Sequence, residues 1–294
     1  MTHRRSLKNM PSINQALASI SSRWEIAPLT EHKPPVFILS AGWRSGSTLL
    51  QRIVLSGENI LVWGEPYAHS DYIRKMADSL RIFQNDLPRD QFFIDHYQPD
   101  EESSQSLSDL WVANLYPMPS DLIDAHRQFF IRLYETPAIN SGYQRWGLKE
   151  VRLSIDYAQY LKFLFPDAKF LFLYRNPYDA YQSYRSFRAW YDVWPTSPVF
   201  TPTDFAKIWK KLLDSFISQH QSLDGKLIKY EDLITGNLDL SELSGYLGFP
   251  VRKETIETTV TGGRASKKTE LSSLEKKLIQ RVVEPTASQQ GYYL

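Results

Sequence analysis

Residues Val36 to Leu50, VFILSAGWRSGSTLL, join a continuous apolar run to a turn of small and polar residues and then to an apolar helical pattern. The turn holds Gly42 and Gly46, and Ser47 and Thr48 stand where the helix would begin. A strand that leads through such a turn into a helix points backbone N–H groups at a phosphate or a related anion. The sequence therefore predicts an anion-binding loop.

This loop does not match the pattern of nucleoside triphosphatases. That pattern places four residues between its glycines, followed by Lys and then Ser or Thr. Here three residues separate Gly42 from Gly46, Ser47 follows directly, and Arg44 is the only cation of the turn. Because a guanidinium donates to two oxyanions at once, Arg44 suits an anion. The sequence favours an anion other than the ATP triphosphate.

A second apolar run, Lys169–Tyr174, also ends at a cation, Arg175. Asn176 and Pro177 suit the N-cap and the first position of a helix. An arginine beside a positive helix N-terminus favours an anion between them. Ser183 lies seven residues beyond Asn176, about two helical turns. Arg175 and Ser183 are therefore expected to reach one phosphate.

The elements around these motifs alternate between strands and helices. Short apolar runs predict buried parallel strands at 36–40, 60–63, 147–151, 169–174 and 227–229. Helical patterns lie at 48–56, 70–84, 120–135, 155–165, 177 to about 189, 205–220, 240–247 and 272–284. This order predicts an α/β fold with a central parallel sheet flanked by helices and a ligand at the carboxyl ends of the strands.

Bulk composition excludes several classes of protein. The chain has 294 residues, a net charge of +1 and no cysteine. A net charge near zero argues against a broad nucleic-acid or membrane-binding field, and the lack of cysteine excludes a disulfide scaffold. Residues 1–33 carry no long apolar segment and are interpreted as an N-terminal extension with one helix. The cytoplasm is the expected location, and no pattern indicates an oligomeric state.

The two motifs together resemble the nucleotide-binding signatures of the sulfotransferases that use 3′-phosphoadenosine-5′-phosphosulfate (PAPS). The matching segments are GWRSGSTLL at 42–50 and YRNPYDAYQSY at 174–184. KYEDL at 229–233 and the ending LSSLEKKLIQRVVEPTASQQGY at 271–292 are similar to further segments of that family. The resemblance covers about residues 34–294 and implies a single sulfotransferase domain whose fold is similar to that of P-loop nucleoside triphosphatases.

The resemblance implies which residues hold the donor. The first loop would bind the 5′-phosphosulfate, the arginine and serine of the second motif the 3′-phosphate, and a late basic loop would close over it. The residues implied are Arg44, Ser45, Gly46, Ser47, Thr48, Leu49, Arg175, Ser183, Tyr230, Arg264 and Lys267. PAPS is the expected co-substrate and 3′-phosphoadenosine 5′-phosphate (PAP) the product, with no metal ion.

The resemblance also implies a carboxylate base at Glu65, which follows the short strand 60–63. Tyrosylprotein and several bacterial small-molecule sulfotransferases have a Glu at a similar place, whereas the cytosolic steroid and phenol enzymes use the His of a Lys-x-His segment. Here that segment reads Lys149-Glu150-Val151, with valine in place of the histidine, which favours Glu65. His69 and Glu150 remain open as alternative bases. Lys149 and Arg44 are expected to neutralise charge on the transferring sulfuryl group.

Two other functions fit the same residues. A P-loop kinase with an altered phosphate loop would turn over ATP with Mg²⁺. A non-catalytic relative would bind PAP without transferring sulfate. The acceptor is expected to be a small molecule or a glycan with a hydroxyl group, and the aromatic cluster Trp190–Trp194 is a candidate for its pocket.

Overall fold

The computed structural model of the protein describes residues 10–30, 32–57, 59–65, 67, 70–96, 115–186, 198–252 and 270–293. Five strands form one sheet: β1 (Val36–Ser40), β2 (Ile60–Trp63), β3 (Arg145–Glu150), β4 (Lys169–Tyr174) and β5 (Lys226–Lys229). The α-helices are α1 (Ile13–Arg23), α2 (Ser47–Leu55), α3 (Tyr72–Ser79), α4 (Pro119–Phe130), α5 (Thr136–Asn140), α6 (Ile155–Leu164), α7 (Pro177–Arg185), α8 (Pro202–Gln219), α9 (Tyr230–Thr235), α10 (Leu240–Leu247) and α11 (Ser273–Gln289). A π-helical turn, Ile131–Glu135, joins α4 to α5.

The five strands are all parallel, in the order β2-β3-β1-β4-β5. In the centre, Ile38 of β1 lies opposite Lys149 of β3, and Ser40 lies opposite Leu173 of β4. Parallel strands end at the same edge, so the loops after β1, β2, β3, β4 and β5 meet there. The predicted α/β fold, one parallel sheet flanked by helices, is confirmed.

Side chains of the central strands alternate between two hydrophobic cores. Phe37 and Leu39 belong to a large core that also contains residues of α1, α3, α4, α6, α8 and α11. Val36 and Ile38 belong to a smaller core with residues of α2, α9 and α10. Both faces of the sheet are thus covered, which explains why its strands read as continuous apolar runs.

Several predicted boundaries differ from the structure. Strand β3 begins at Arg145 and ends at Glu150, two residues earlier and one residue earlier than the predicted 147–151. Helix α7 ends at Arg185 rather than near residue 189. In place of one helix at 120–135, α4 passes into the π-helical turn and α5.

The last helix passes through a proline where the sequence predicted its end at 284. Helix α11 contains Pro285 and continues to Gln289. A proline removes one backbone hydrogen bond and normally ends or kinks a helix. Here the following turn is held by tertiary contacts, since Thr286 donates to Asp214 of α8 at 2.5 Å and Ala287 is fully buried. These contacts explain why the helix continues.

In the described part of the predicted N-terminal extension, the expected helix is α1. Helix α1 starts with a capping box, in which Ser12 and Gln15 each bond the backbone of the other. Its apolar face, including Leu17 and Ile20, lies in the larger core. Residues 13–20 therefore share a core with the rest of the chain. Among the helices of the described ranges, none has the length and apolarity to cross a membrane.

The lack of space for a side chain at Gly147 of β3 predicts a stability effect. A Cβ at this position would lie 2.4 Å from the carbonyl oxygen of Val36, on the neighbouring strand β1. Gly147→Ala is expected to destabilise the protein by about 1–3 kcal/mol in urea unfolding, because β1 and β3 would have to separate. The control is Gly245→Ala in exposed helix α10, where nothing lies within 4 Å, and it should increase stability by up to about 1 kcal/mol. Equal effects of the two substitutions would contradict the steric argument.

Candidate active site

The loop after β1 presents unpaired backbone donors. Helix α2 begins at Ser47, and Gly46 is its N-cap with φ 91°, a left-handed conformation that favours glycine. Within the described residues, the N–H groups of Gly46, Ser47 and Thr48 have no hydrogen-bond partner. They lie at a helix N-terminus, where the positive end of the helix dipole attracts anions.

Two other residues of the predicted cradle have partners inside the loop. The Ser45 hydroxyl is fully buried and donates to the carbonyls of Ala41 at 3.3 Å and Gly42 at 2.7 Å. The Leu49 N–H donates to the Gly46 carbonyl at 2.9 Å. In this conformation Ser45 shapes the turn through its side chain, and the Leu49 N–H is used within the loop.

Tyr230, at the start of α9, covers the loop. A Cβ on Gly46 would lie 2.1 Å from the Cδ2 atom of the Tyr230 ring. The guanidinium carbon of Arg175 also lies over the Tyr230 ring, 4.4 Å from its centroid. The aromatic ring, the glycine and the arginine therefore form one packed group at the carboxyl edge of the sheet.

The two predicted anion-binding motifs contact each other directly. Arg175 Nη1 donates to the carbonyl oxygen of Arg44 at 3.2 Å, and Arg44 Nε donates to Ser183 Oγ at 2.9 Å. Arg175 Nε is buried and has no hydrogen-bond partner among the described residues. Two guanidinium groups and a hydroxyl, beside unpaired backbone N–H groups, can hold a ligand with more than one anionic group.

The start of α7 is held by contacts from three directions. The Asn176 side chain caps the helix by accepting from the Tyr178 N–H at 2.9 Å, which confirms the predicted N-cap. The Asn176 N–H donates to Glu231 of α9 at 2.9 Å, and the Tyr292 hydroxyl donates to the other oxygen of Glu231 at 2.6 Å. On the neighbouring residue, the Arg175 carbonyl accepts from Trp209 Nε1 of α8 at 2.9 Å.

Glu65 and Lys149 form an ion pair at the ends of β2 and β3. Lys149 Nζ lies 2.6 Å from Glu65 Oε1. The Lys149 side chain is 9% exposed and the Glu65 side chain 25%, so the carboxylate is the more accessible partner. The base and the cation expected from the sequence thus lie together.

Next to this pair lies a buried charged cluster. Both carboxylate oxygens of Glu150 accept from Arg152 Nη2, at 3.1 and 3.0 Å, and Arg152 Nη1 lies 3.3 Å from Asp71 Oδ1. Burial raises the pKa of Glu150 to about 7, although the Arg152 guanidinium acts in the opposite direction. Because Glu150 is 4% exposed and paired, its position fits a structural ion pair rather than the alternative base considered from the sequence.

Aromatic residues of the middle segment hold the end of β2. Trp63, two residues before Glu65, donates from Nε1 to the Tyr134 carbonyl at 3.2 Å. Tyr134 lies in the π-helical turn, stacks on Trp146, and its hydroxyl contacts that of Tyr72. Irregular π-helical turns often occur at functional sites. Here the turn positions the strand that carries Glu65.

The structure thus brings together most of the predicted site residues. Those at the carboxyl edge are Arg44, Ser45, Gly46, Ser47, Thr48, Leu49, Glu65, Lys149, Arg175, Ser183 and Tyr230. His69, Arg264, Lys267 and Trp190–Trp194 lie outside the described residues. Across the described ranges, no group of three or more His, Cys, Asp or Glu side chains could hold a metal ion.

Sequence reasoning gave no role to the supporting residues Trp209, Glu231, Tyr292 and Asp71, although Glu231 and Tyr292 lie in two of the segments that carry the resemblance. Each acts through a contact with a residue far away in the chain; Tyr292, for example, lies 61 positions after Glu231. No local spacing or composition signals such a contact. Only the folded chain identifies them.

The close contact between Gly46 and Tyr230 predicts that a methyl group added at residue 46 weakens ligand binding. Gly46→Ala is expected to weaken PAP binding by about tenfold or more in calorimetric titration, because the loop must move away from Tyr230. Gly236→Ala is the control: Gly236 also has a positive φ, of 77°, but nothing lies within 4 Å of its Cβ position. Both variants carry backbone strain, so equal PAP affinities in the two would contradict a steric role for Tyr230.

One family model and solved sulfotransferase domains are similar to this chain. Residues 34–242, which are most of the chain, match the model described as the sulfotransferase family. The sulfotransferase domain of the Synechococcus PCC 7002 olefin synthase is 20% identical, with a TM-score of 0.46, and the match covers 92% of this chain and 99% of that domain. The sulfotransferase domain from the curacin biosynthetic pathway is 18% identical, with a TM-score of 0.49, covering 90% of this chain and 100% of that one. The search of curated proteins finds no match. On the family match, the chain belongs to the sulfotransferase family.

Proposed function

We propose that this protein transfers the sulfuryl group of PAPS to an acceptor hydroxyl, giving a sulfate ester and PAP. Family membership supports sulfotransfer as the reaction class. The observation that carries the choice of donor is the contact between the two motifs: Arg175 donates to the Arg44 carbonyl, and Arg44 donates to Ser183. A donor with anionic groups at both the 5′ and 3′ positions of its ribose suits two adjoining anion subsites.

The donor fits the unpaired groups of the site. The Gly46, Ser47 and Thr48 N–H groups would bind the 5′-phosphosulfate, as helix N-termini bind phosphates. Arg175, whose buried Nε has no partner among the described residues, would bind the 3′-phosphate together with the Ser183 hydroxyl. Arg264 and Lys267 remain candidates for the same phosphate.

The reaction follows from the pair at the ends of β2 and β3. Glu65 would take the proton of the acceptor hydroxyl as the acceptor oxygen bonds to sulfur, while the bond from sulfur to the 5′-phosphate oxygen breaks and its electrons leave with PAP. Lys149 and Arg44 would neutralise the charge on the sulfuryl oxygens and on the leaving phosphate. Removing one such preorganised donor typically costs about 10²–10³ in rate.

The acceptor is proposed to be a small molecule or a glycan. Neither a nucleic acid nor a membrane surface suits a chain whose net charge is +1. Glu65 is a quarter exposed, so an acceptor hydroxyl can reach it from solvent. The proposed location of the enzyme is the cytoplasm.

Recognition of the 3′-phosphate is tested by titration. Wild-type protein in EDTA is expected to bind PAP more tightly than ADP, and Arg175→Ala should weaken PAP binding by about 10- to 100-fold, the effect of losing charged hydrogen bonds. Comparable affinities for PAP and ADP would contradict the 3′-phosphate assignment. ATP turnover that requires Mg²⁺ would instead indicate a kinase.

The role of Glu65 is tested by removing its charge. Glu65→Gln should lower the rate of transfer from labelled PAPS by about 10²–10⁴-fold, the usual contribution of a general base, and should keep PAP binding. The control is Glu242→Gln, which removes another Lys–Glu pair, Lys226–Glu242 at 2.6 Å, at the amino end of β5. Turnover in Glu65→Gln at the wild-type rate would show that another group is the base. A wild-type protein that binds PAP but transfers sulfate to no acceptor would indicate a non-catalytic relative.

A further inference from the structure

Arg44 has a backbone conformation that needs support. Its φ of 64° lies in the left-handed region, which residues other than glycine rarely adopt. The next glycine, Gly46, has a positive φ as well, so two residues of this short loop are in the left-handed region. A non-glycine residue persists in such a conformation when the surrounding structure holds it there.

The support comes from the second motif, on the neighbouring strand and helix. Arg175 Nη1 donates to the Arg44 carbonyl, and Ser183 Oγ accepts from Arg44 Nε. One contact thus holds the main chain of Arg44 and the other holds its side chain. Both partners belong to the β4–α7 unit that would bind the 3′-phosphate.

Contacts within the protein hold Arg175 in place. Trp209 bonds its carbonyl, and its guanidinium lies over the ring of Tyr230, which packs against Gly46. Arg175 therefore contacts the phosphate loop along two routes, through the Arg44 carbonyl and through Tyr230. A residue that only binds ligand would not need either of these two contacts with the loop.

We propose that Arg175 and Ser183 are positioning residues for the phosphate loop, and that they couple the 3′-phosphate subsite to the 5′-phosphate subsite. The nucleotide part of this proposal rests on the function proposed above. Arg175 holds Arg44 in its left-handed conformation, and Ser183 orients the Arg44 guanidinium. The Ser183 hydroxyl can accept from Arg44 and donate to a phosphate at the same time. Loss of either residue therefore weakens binding at the 5′ site even for a nucleotide that has no 3′-phosphate.

The matched ligands are PAP and AMP, which differ only by the 3′-phosphate. Arg175→Met and Ser183→Ala should each weaken PAP binding and should also weaken AMP binding, by about threefold or more, in calorimetric titration or by displacement of a labelled nucleotide. The control is Arg145→Met. Arg145 makes the same kinds of contact at the amino end of β3, over the Phe249 ring at 5.3 Å and to the Leu247 carbonyl at 3.1 Å, and its loss should leave both affinities unchanged. Variants that lose PAP affinity and keep wild-type AMP affinity would overturn the proposal.

A second measurement needs no nucleotide. Hydrogen exchange of peptides covering residues 42–50 should be faster in Arg175→Met than in wild type, and unchanged in Arg145→Met. Wild-type exchange in the Arg175 variant would overturn the proposal, whatever the nucleotides do. If the wild-type protein bound neither PAP nor AMP while the exchange difference appeared, the proposed function would be wrong and the support of the loop by Arg175 would stand.

Discussion

The parallel pairing of β1 with both β3 and β4 is the constraint on which the site depends. Because β1 is central, the loop that follows it has Lys149 of β3 on one side and Arg175, after β4, on the other. The pairing requires close backbone contact, as at Gly147 against Val36. Both faces of the sheet are buried in hydrophobic cores, which leaves the strand ends as the place where polar groups can collect.

The carboxylates Glu65, Glu150 and Asp71 are each paired with a cation, because an isolated buried charge is costly. Glu65 pairs with Lys149, and Glu150 and Asp71 share Arg152. Breaking a buried pair by removing one partner typically costs about 3–5 kcal/mol. The paired charges of Glu150, Arg152 and Asp71, next to Glu65, therefore resist any movement that would separate the partners. In contrast, the N–H groups of Gly46, Ser47 and Thr48 have no partner in the described part of the chain, so they can bind an anion.

Local sequence signals were sufficient to predict those parts of the site whose structure depends on residues close together in the chain. Strand β4 and the Asn176 cap agree with the predictions, since an apolar run followed by Asn-Pro contains its own start and stop. The continuation of α11 past Pro285 was missed because it depends on Asp214, in another helix. For the same reason the sequence predicted Arg175 as a ligand-binding residue but not its contact with Arg44, 131 residues away in the chain. Side-chain chemistry is visible in a sequence, and the contacts that orient it depend on the fold.

The contact of Tyr292 with Glu231 determines when, during synthesis, the support of Asn176 can be completed. Glu231 holds the N–H of Asn176, which lies 55 residues earlier, and is in turn held by Tyr292, 61 residues later. The ribosome synthesises a chain from its N-terminus. The loop after β1 and Arg175 are therefore made well before Tyr292, which completes the support of Asn176 through Glu231. A chain whose synthesis has not yet reached Tyr292 lacks the hydrogen bond from Tyr292 to Glu231. The support of Asn176 by Glu231 is therefore complete only after residue 292 has been synthesised.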